Sequence, residues 1–125
     1  VKQFNGYIAI DGLPLNGALT EGENIADLGG VKIAYAALQK AVAGQPRAKI
    51  DGYTPEQRFF LSWATVWHTN IRDQQLRLQV NTDPHSPAHF RINGPLSNIS
   101  EFYTAFDIPE GAPMRRPASD RVVIW

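Results

Sequence analysis

The pattern of apolar positions predicts a long first helix over residues 20–42. In this range apolar side chains recur at the three- and four-residue spacing of a helix face, at Leu28, Val31, Tyr35, Leu38 and Val42. Gly44 and Pro46 follow, and both residue types are typical of a helix end. The pair Gly29-Gly30 lowers helix stability by about 1 kcal/mol per glycine relative to alanine. We therefore expect close backbone packing or a kink at this pair.

A second helix is predicted to begin after Thr54, with Pro55 in its first position and Gln57 completing a capping box. The segment FFLSWATVW at 59–67 is apolar on nearly every side of such a helix. A helix with this pattern is typically buried on all sides. Since the other predicted helices are few and modest in length, we expect this one to pack against more protein than the 125 residues contain.

The rest of the chain is predicted to hold short extended segments and further helices. Residues 4–10 are apolar and favour a strand or an extended arm, which Asp11 and Gly12 would end. The further helices are predicted at 71–80, from Ser86-Pro87 to Gly94-Pro95, and at 97–106. The tail is rich in proline and irregular. The sequence thus predicts a mainly α fold with short extended ends, forming one unit over residues 1–125.

Composition narrows the classes of function. Twelve basic residues balance twelve acidic ones, so the charge gives no case for a nucleic-acid partner. There is no cysteine, hence no disulfide, and a metal would have to bind to Glu, Asp or His. No apolar run is long enough to span a bilayer, and the first residues are unlike a signal peptide. The chain does not begin with methionine, so we expect a piece of a longer protein.

The segment TEGENIADLGG at 20–30 places two carboxylates, Glu23 and Asp27, one turn apart on the same helix face. In one interpretation, Glu23 completes a capping box with Thr20, and both acids favour the positive end of the helix. In the other, one carboxylate is a metal ligand and its neighbour orients the metal site. The spacing alone leaves both open.

The segment NTDPHSPAHFR at 81–91 is a second candidate, because it places Asp83, His85 and Arg91 close together around a proline turn. In one interpretation these residues form an ordinary surface turn. In the other, His85 is a proton donor and Arg91 provides a guanidinium that binds substrate. His68 is expected to be a buried structural histidine. His89 is expected to point away from Arg91, and we assign it no role.

Taken together and in order, these segments resemble the C-terminal part of the neprilysin family of zinc metallopeptidases. The resemblance rests on NGALTEGENIADLGG at 16–30, the aromatic helix FFLSWATVW, NTDPHSPAHFRINGPLSNISEFYTAF at 81–106, and a terminal tryptophan, Trp125. It covers essentially the whole chain. It implies the helical C-terminal part of a thermolysin-like zincin catalytic domain. The absence of cysteine and the ending VVIW suggest a bacterial member of that family.

The resemblance also implies a role for each candidate residue. Glu23 would be the third protein ligand of a catalytic zinc ion, and Asp27 would orient one of the two zinc-bound histidines. His85 would stabilise the oxyanion of the tetrahedral intermediate, with Asp83 fixing its orientation. Arg91 would bind a backbone carbonyl of the peptide substrate. A zinc site of two His and one Glu leaves a position open for chemistry.

One part of the family pattern is missing: the sequence contains no H-E-x-x-H, the motif that supplies two zinc histidines and the general base. We therefore expect these residues to need the preceding part of the same protein as a partner, and the chain alone to be inactive. Two other hypotheses stay open, a non-catalytic interaction module derived from a peptidase and a self-contained site for another metal. The resemblance implies a location outside the cytoplasm, and the sequence does not decide whether the protein contacts a membrane.

Overall fold

The computed structural model of the protein describes residues 1–124, and Trp125 of the terminal motif lies outside the described residues. One short helix and one hairpin precede four longer helices, and a further short helix and an irregular tail follow them. The elements are α1 (Lys2–Asn5), β1 (Ile8–Ile10), β2 (Leu13–Pro14), α2 (Glu21–Ala41), α3 (Pro55–Val66), α4 (Asp73–Thr82), α5 (Ala88–Leu96), α6 (Ser100–Ala105) and a 3₁₀ turn (Ala118–Asp120). The prediction of a mainly α fold is confirmed. None of these helices has the length and apolar character needed to cross a membrane.

Helix α2 agrees closely with the predicted range, and its apolar stripe faces the core through Leu28 and Val31. Of the two interpretations of its start, the one in which Thr20 and Glu23 form a capping box is wrong. The Thr20 side chain does not cap the helix; its hydroxyl donates to the Asn16 carbonyl, 3.1 Å away. Gly29 is buried, whereas Gly30 is exposed. Apart from its chain neighbours and the backbone of its own helix, no atom of the described chain lies within 4 Å of the position a Cβ would take at Gly30. Close packing at Gly30 is therefore not seen within these residues.

Helix α3 begins with the predicted capping box. The Gln57 amide N–H donates to the Thr54 hydroxyl at 3.2 Å, and the Gln57 side chain accepts from the Thr54 N–H at 3.0 Å. Within the described chain this helix is not buried on all sides, and its packing against further protein stays a prediction. Phe60 is fully buried, but Leu61 and Val66 are exposed because no described element covers their side of the helix.

The N-terminal segment is only partly extended. Residues 2–5 form helix α1 rather than the start of a strand, and the strand is confined to β1. Strand β1 pairs antiparallel with β2, with Ile8 opposite Pro14. Asp11 and Gly12 form the turn between them, both at positive φ, where glycine carries no steric cost.

Helix α5 continues through the Gly94-Pro95 pair that was expected to end it, and stops at Leu96. A proline in a last turn removes only one backbone hydrogen bond. Gly94 is needed for a different reason, because a Cβ there would lie 2.5 Å from Cζ of Phe4 on α1. The last predicted helix is shorter than expected, since residues 97–99 form a turn before α6.

Two apolar clusters hold these elements together. The larger joins α2, α3, α5 and the start of α6, and its buried members are Leu28, Val31, Phe60, Leu96 and Ile99. The smaller packs α1 and the hairpin against α4 through Phe4, Leu15 and Val80. The start of α2 and the turn before α5 lie between them, and these two segments carry the candidate residues.

Candidate active site

The first turns of α2 present Glu23 and Asp27 on one face, as predicted. Because Thr20 does not cap the helix, Glu23 is not engaged in a capping box, and 39% of its side chain is exposed. Asp27 is buried, with 7% of its side chain exposed. The two carboxylates therefore differ in surroundings: one is open to solvent or a ligand, and the other is enclosed by protein.

The turn before α5 holds His85 in place through Asp83. Oδ1 of Asp83 accepts from the His85 backbone N–H at 2.8 Å and lies 2.7 Å from Nδ1 of the same residue. These contacts, the backbone hydrogen bond first and the side-chain one second, lower the pKa of Asp83 below its ordinary value, so the carboxylate stays ionised. With Nδ1 occupied in this way, Nε2 of the imidazole lies 3.1 Å from Oε2 of Glu23.

Arg91 on α5 forms a two-pronged ion pair with Asp27. Its Nε lies 2.7 Å from Oδ2 and its Nη2 lies 2.8 Å from Oδ1. Nη2 is also 3.6 Å from Oε2 of Glu23. A fork of this kind fixes the guanidinium in the plane of the carboxylate. Among residues 1–124, Nη1 has no hydrogen-bond acceptor, and 13% of the arginine side chain is exposed.

Trp67, just beyond the end of α3, lies against the face of the same guanidinium. The Cζ atom of Arg91 is 3.9 Å from the centroid of the indole ring. From the sequence, this tryptophan is predicted only as part of an apolar helix. Its position at the helix end, where the apolar pattern gives way to polar residues, is the one signal in the sequence that sets it apart.

A buried hydrogen bond joins the two motifs. The Ser86 hydroxyl donates to Oδ1 of Asn24 at 2.8 Å, and the Asn24 amide donates to the Thr20 hydroxyl at 2.9 Å. Ser86 is 1% exposed, Thr20 3% and Asn24 8%. The sequence predicts Ser86 only as the cap of a helix start, and this is wrong because Pro87 precedes the first residue of α5 and no side chain caps the helix. No role is predicted for Asn24, although each of the two directly adjoins a candidate residue.

The two remaining histidines lie outside this arrangement. His68 follows the end of α3 and is exposed, so the expectation of a buried structural histidine is wrong. His89 is also exposed, and its Nε2 lies 3.2 Å from the Asn93 amide.

The donor atoms present do not make a complete metal site. Among residues 1–124, no group of three or more His, Asp and Glu side chains is arranged to hold a metal ion. Catalytic zinc sites use three protein ligands. Glu23 fits as one of them, because its carboxylate is accessible and is not used to cap the helix.

Comparison with protein families gives a match over nearly the whole chain. The model of Peptidase family M13 matches residues 1–122. Neprilysin-2 of Drosophila melanogaster is 43% identical over 118 residues, which are 91% of this chain and 15% of that protein. Endothelin-converting enzyme 1 of Homo sapiens is 42% identical over 120 residues, covering 94% of this chain and 16% of the relative.

Solved structures give the same result. The zinc metalloprotease Zmp1 of Mycobacterium tuberculosis, determined in an open state, matches with a TM-score of 0.94 and 40% identity. The match covers 100% of this chain and 20% of that one. A Haemonchus galactose-containing glycoprotein complex matches with a TM-score of 0.87 and 32% identity, over 99% of this chain and 22% of that one. The chain thus spans about one fifth or less of the length of the relatives it matches.

Proposed function

The chain belongs to Peptidase family M13, and from this membership we propose that residues 1–125 are the C-terminal segment of the catalytic domain of a zinc metalloendopeptidase that hydrolyses oligopeptides. One observation carries the proposal. Nε2 of His85 and Nη2 of Arg91 lie 3.1 and 3.6 Å from the same atom, Oε2 of Glu23. Two motifs far apart in the sequence thus bring a carboxylate and two nitrogen donors to one point.

Glu23 would hold the zinc ion together with two histidines from residues outside this chain. When bound, zinc supplies a Lewis acid that polarises the peptide carbonyl. The protein's part is to present the Glu23 carboxylate at a fixed place on α2, and the buried helix face through Leu28 and Val31 anchors it there.

His85 would donate a hydrogen bond from Nε2 to the carbonyl oxygen as negative charge develops on it. Asp83 accepts from Nδ1 and from the backbone of the same residue, so the ring is oriented before substrate arrives. A donor fixed in advance costs no reorganisation during the reaction, and this is the main source of such stabilisation.

Arg91 would bind a backbone carbonyl of the peptide through Nη1, the edge not used by Asp27. Asp27 would also orient one of the zinc histidines. Its two oxygens each accept one bond from Arg91 and keep lone pairs for a further donor, so the two roles are compatible.

The whole active unit would include protein beyond these residues. The sequence lacks H-E-x-x-H, and Glu23 is one ligand of the three that zinc requires. The chain alone would therefore be inactive, its partners being peptide substrates and the preceding part of the same protein. We place the complete protein outside the cytoplasm, as the resemblance implies.

The test is Glu23→Gln in the complete protein, with Glu21→Gln as a matched control from the same helix turn. We expect Glu23→Gln to abolish zinc binding, read by native mass spectrometry, together with peptide hydrolysis, while Glu21→Gln retains both. Near-normal turnover by Glu23→Gln would overturn the assignment. For the isolated chain, we expect a species of 13.9 kDa without zinc. Stoichiometric zinc on that species would instead support a self-contained metal site.

A further inference from the structure

The hydrogen bond between Asn24 and Ser86 connects the two segments that carry the candidate residues. Asn24 follows Glu23 on α2, and Ser86 follows His85 in the turn before α5. The bond is 2.8 Å long, and both side chains are more than nine-tenths buried. From this arrangement we propose that Asn24 and Ser86 are positioning residues that set the spacing of Glu23 and His85, an inference that rests on the proposed function.

The bond is well placed for this task because its two partners are the sequence neighbours of the residues that they would position. Each partner is separated from its candidate residue by a single peptide unit, whose planarity leaves little freedom. The contact between Nε2 of His85 and Oε2 of Glu23, at 3.1 Å, joins side chains that are about two-fifths exposed. Exposed ion pairs contribute little to holding two elements together. The buried bond beside it is the better constraint.

The surroundings make the bond hard to replace by water. The Asn24 side chain uses its oxygen for Ser86 and its amide for Thr20, whose hydroxyl continues to the Asn16 carbonyl. A buried polar group that loses its partner costs free energy, because solvent cannot take the partner's place. Elements α2 and the 83–87 turn therefore have one favoured relative position.

If the bond positions Glu23 and His85, its loss lowers activity even where stability is restored. Two variants of the complete protein test this difference. Ser86→Ala leaves the Asn24 oxygen unpaired, so we expect lower thermal stability together with kcat/KM reduced by about 10- to 100-fold, the usual effect of losing a residue that orients a ligand. The double variant Asn24→Leu/Ser86→Ala replaces both partners by apolar groups, which restores much of the stability. We expect its kcat/KM to stay low, because the directional bond is still missing.

Two further variants complete the experiment. Ser86→Thr keeps the hydroxyl and should recover most of the kcat that Ser86→Ala loses. Thr20→Val removes two bonds of the same buried chain, the one from the Asn24 amide and the one to the Asn16 carbonyl, and neither of them connects the two segments. It should lower the melting temperature while kcat/KM stays within about twofold of the parent. Zinc retention during titration with a chelator gives a readout independent of turnover, and we expect weaker retention in the double variant.

Two outcomes would overturn the inference. One is a double variant with parental kcat/KM and zinc retention. The other is an equal loss of kcat/KM in Thr20→Val and Ser86→Ala, since activity would then follow stability alone. Glu23→Gln in parallel keeps the two proposals apart. If that variant is inactive while the double variant is normal, only the positioning role fails; if it remains active, the proposed function fails.

Discussion

The guanidinium of Arg91 lies over the indole of Trp67, with Cζ 3.9 Å from the ring centroid, while its edge is paired with Asp27. The carboxylate holds the guanidinium from one edge, and the indole covers one of its faces. Two neighbours thus restrict the movement of the Nη1 group that we assign to substrate binding.

We expect Trp67→Leu in the complete protein to raise the KM for peptides by about 2- to 30-fold, the range that corresponds to the loss of one cation–π contact. Trp67→Phe keeps an aromatic face and should have a smaller effect. Steady-state kinetics in an Arg91→Ala background provide the control, since the tryptophan would there have no guanidinium to orient. An equal rise in KM in both backgrounds would mean that Trp67 acts independently of Arg91.

The pair of Arg91 with Asp27 also predicts a cost in stability. Only 13% of the arginine side chain and 7% of the aspartate side chain are exposed. Arg91→Ala would leave the buried Asp27 carboxylate without its cationic partner, and we expect the free energy of unfolding to fall by about 3–5 kcal/mol. Asp27→Asn combined with Arg91→Ala removes the uncompensated charge and should recover part of the loss. Denaturant unfolding of both variants measures this, and a double variant no more stable than the single one would contradict it.

Two glycines on different helices should respond in opposite ways to alanine. At Gly94 the new methyl group would press on the Phe4 ring, so we expect a loss of about 1–3 kcal/mol. At Gly30 the described chain leaves open space, so alanine should stabilise α2 by up to about 1 kcal/mol. Thermal melting of the two variants side by side tests both. A stabilised Gly94→Ala variant would show that α1 does not pack as described.

The start of α3 allows the capping box to be separated from a tertiary contact. Thr54→Ala should cost about 1 kcal/mol, the usual loss for a cap. Gln57→Glu keeps the acceptor for the Thr54 N–H but loses the donor that reaches the Ala105 carbonyl at 2.8 Å. We expect the free energy of unfolding of this variant to lie about 0.5–1.5 kcal/mol below that of the parent, because the hydrogen bond between α3 and α6 is lost. Unfolding curves in which Gln57→Glu matches the parent would rule out that contribution.

The local patterns in the sequence predicted the elements whose signals are themselves local. The T-P-x-Q start of α3 and the apolar stripe of α2 are examples, since each depends on residues within a few positions. The start of α2 shows the limit of this approach. Thr20 and Glu23 have the spacing of a capping box, yet the Thr20 hydroxyl is used by Asn16 and Asn24 instead. Tertiary partners compete with local ones, and spacing cannot show which wins.

The candidate site was predicted through two motifs, but the residues that connect them were not. Asp83 beside His85 is a contact over two residues and could be anticipated from the turn. The bonds from Asn24 to Ser86 and from Asp27 to Arg91 join residues 62 and 64 positions apart. No periodicity in a single chain reports pairs so distant, because they depend on how α2 packs against α5. Their roles in catalysis stay predictions.

The contact of α1 with the end of α5 has a consequence for the order of events during synthesis. Gln3 bonds to Gly94, Ser97 and Asn98, which lie 91, 94 and 95 residues further along the chain. On a ribosome, the first helix would emerge long before its binding surface exists, and closing so long a loop is slow. Throughout that interval Phe4 would lack the surface at Gly94 against which it packs. Until residue 98 has left the exit tunnel, α1 therefore has no partner on α5, and that interval is when a chaperone would have most to protect.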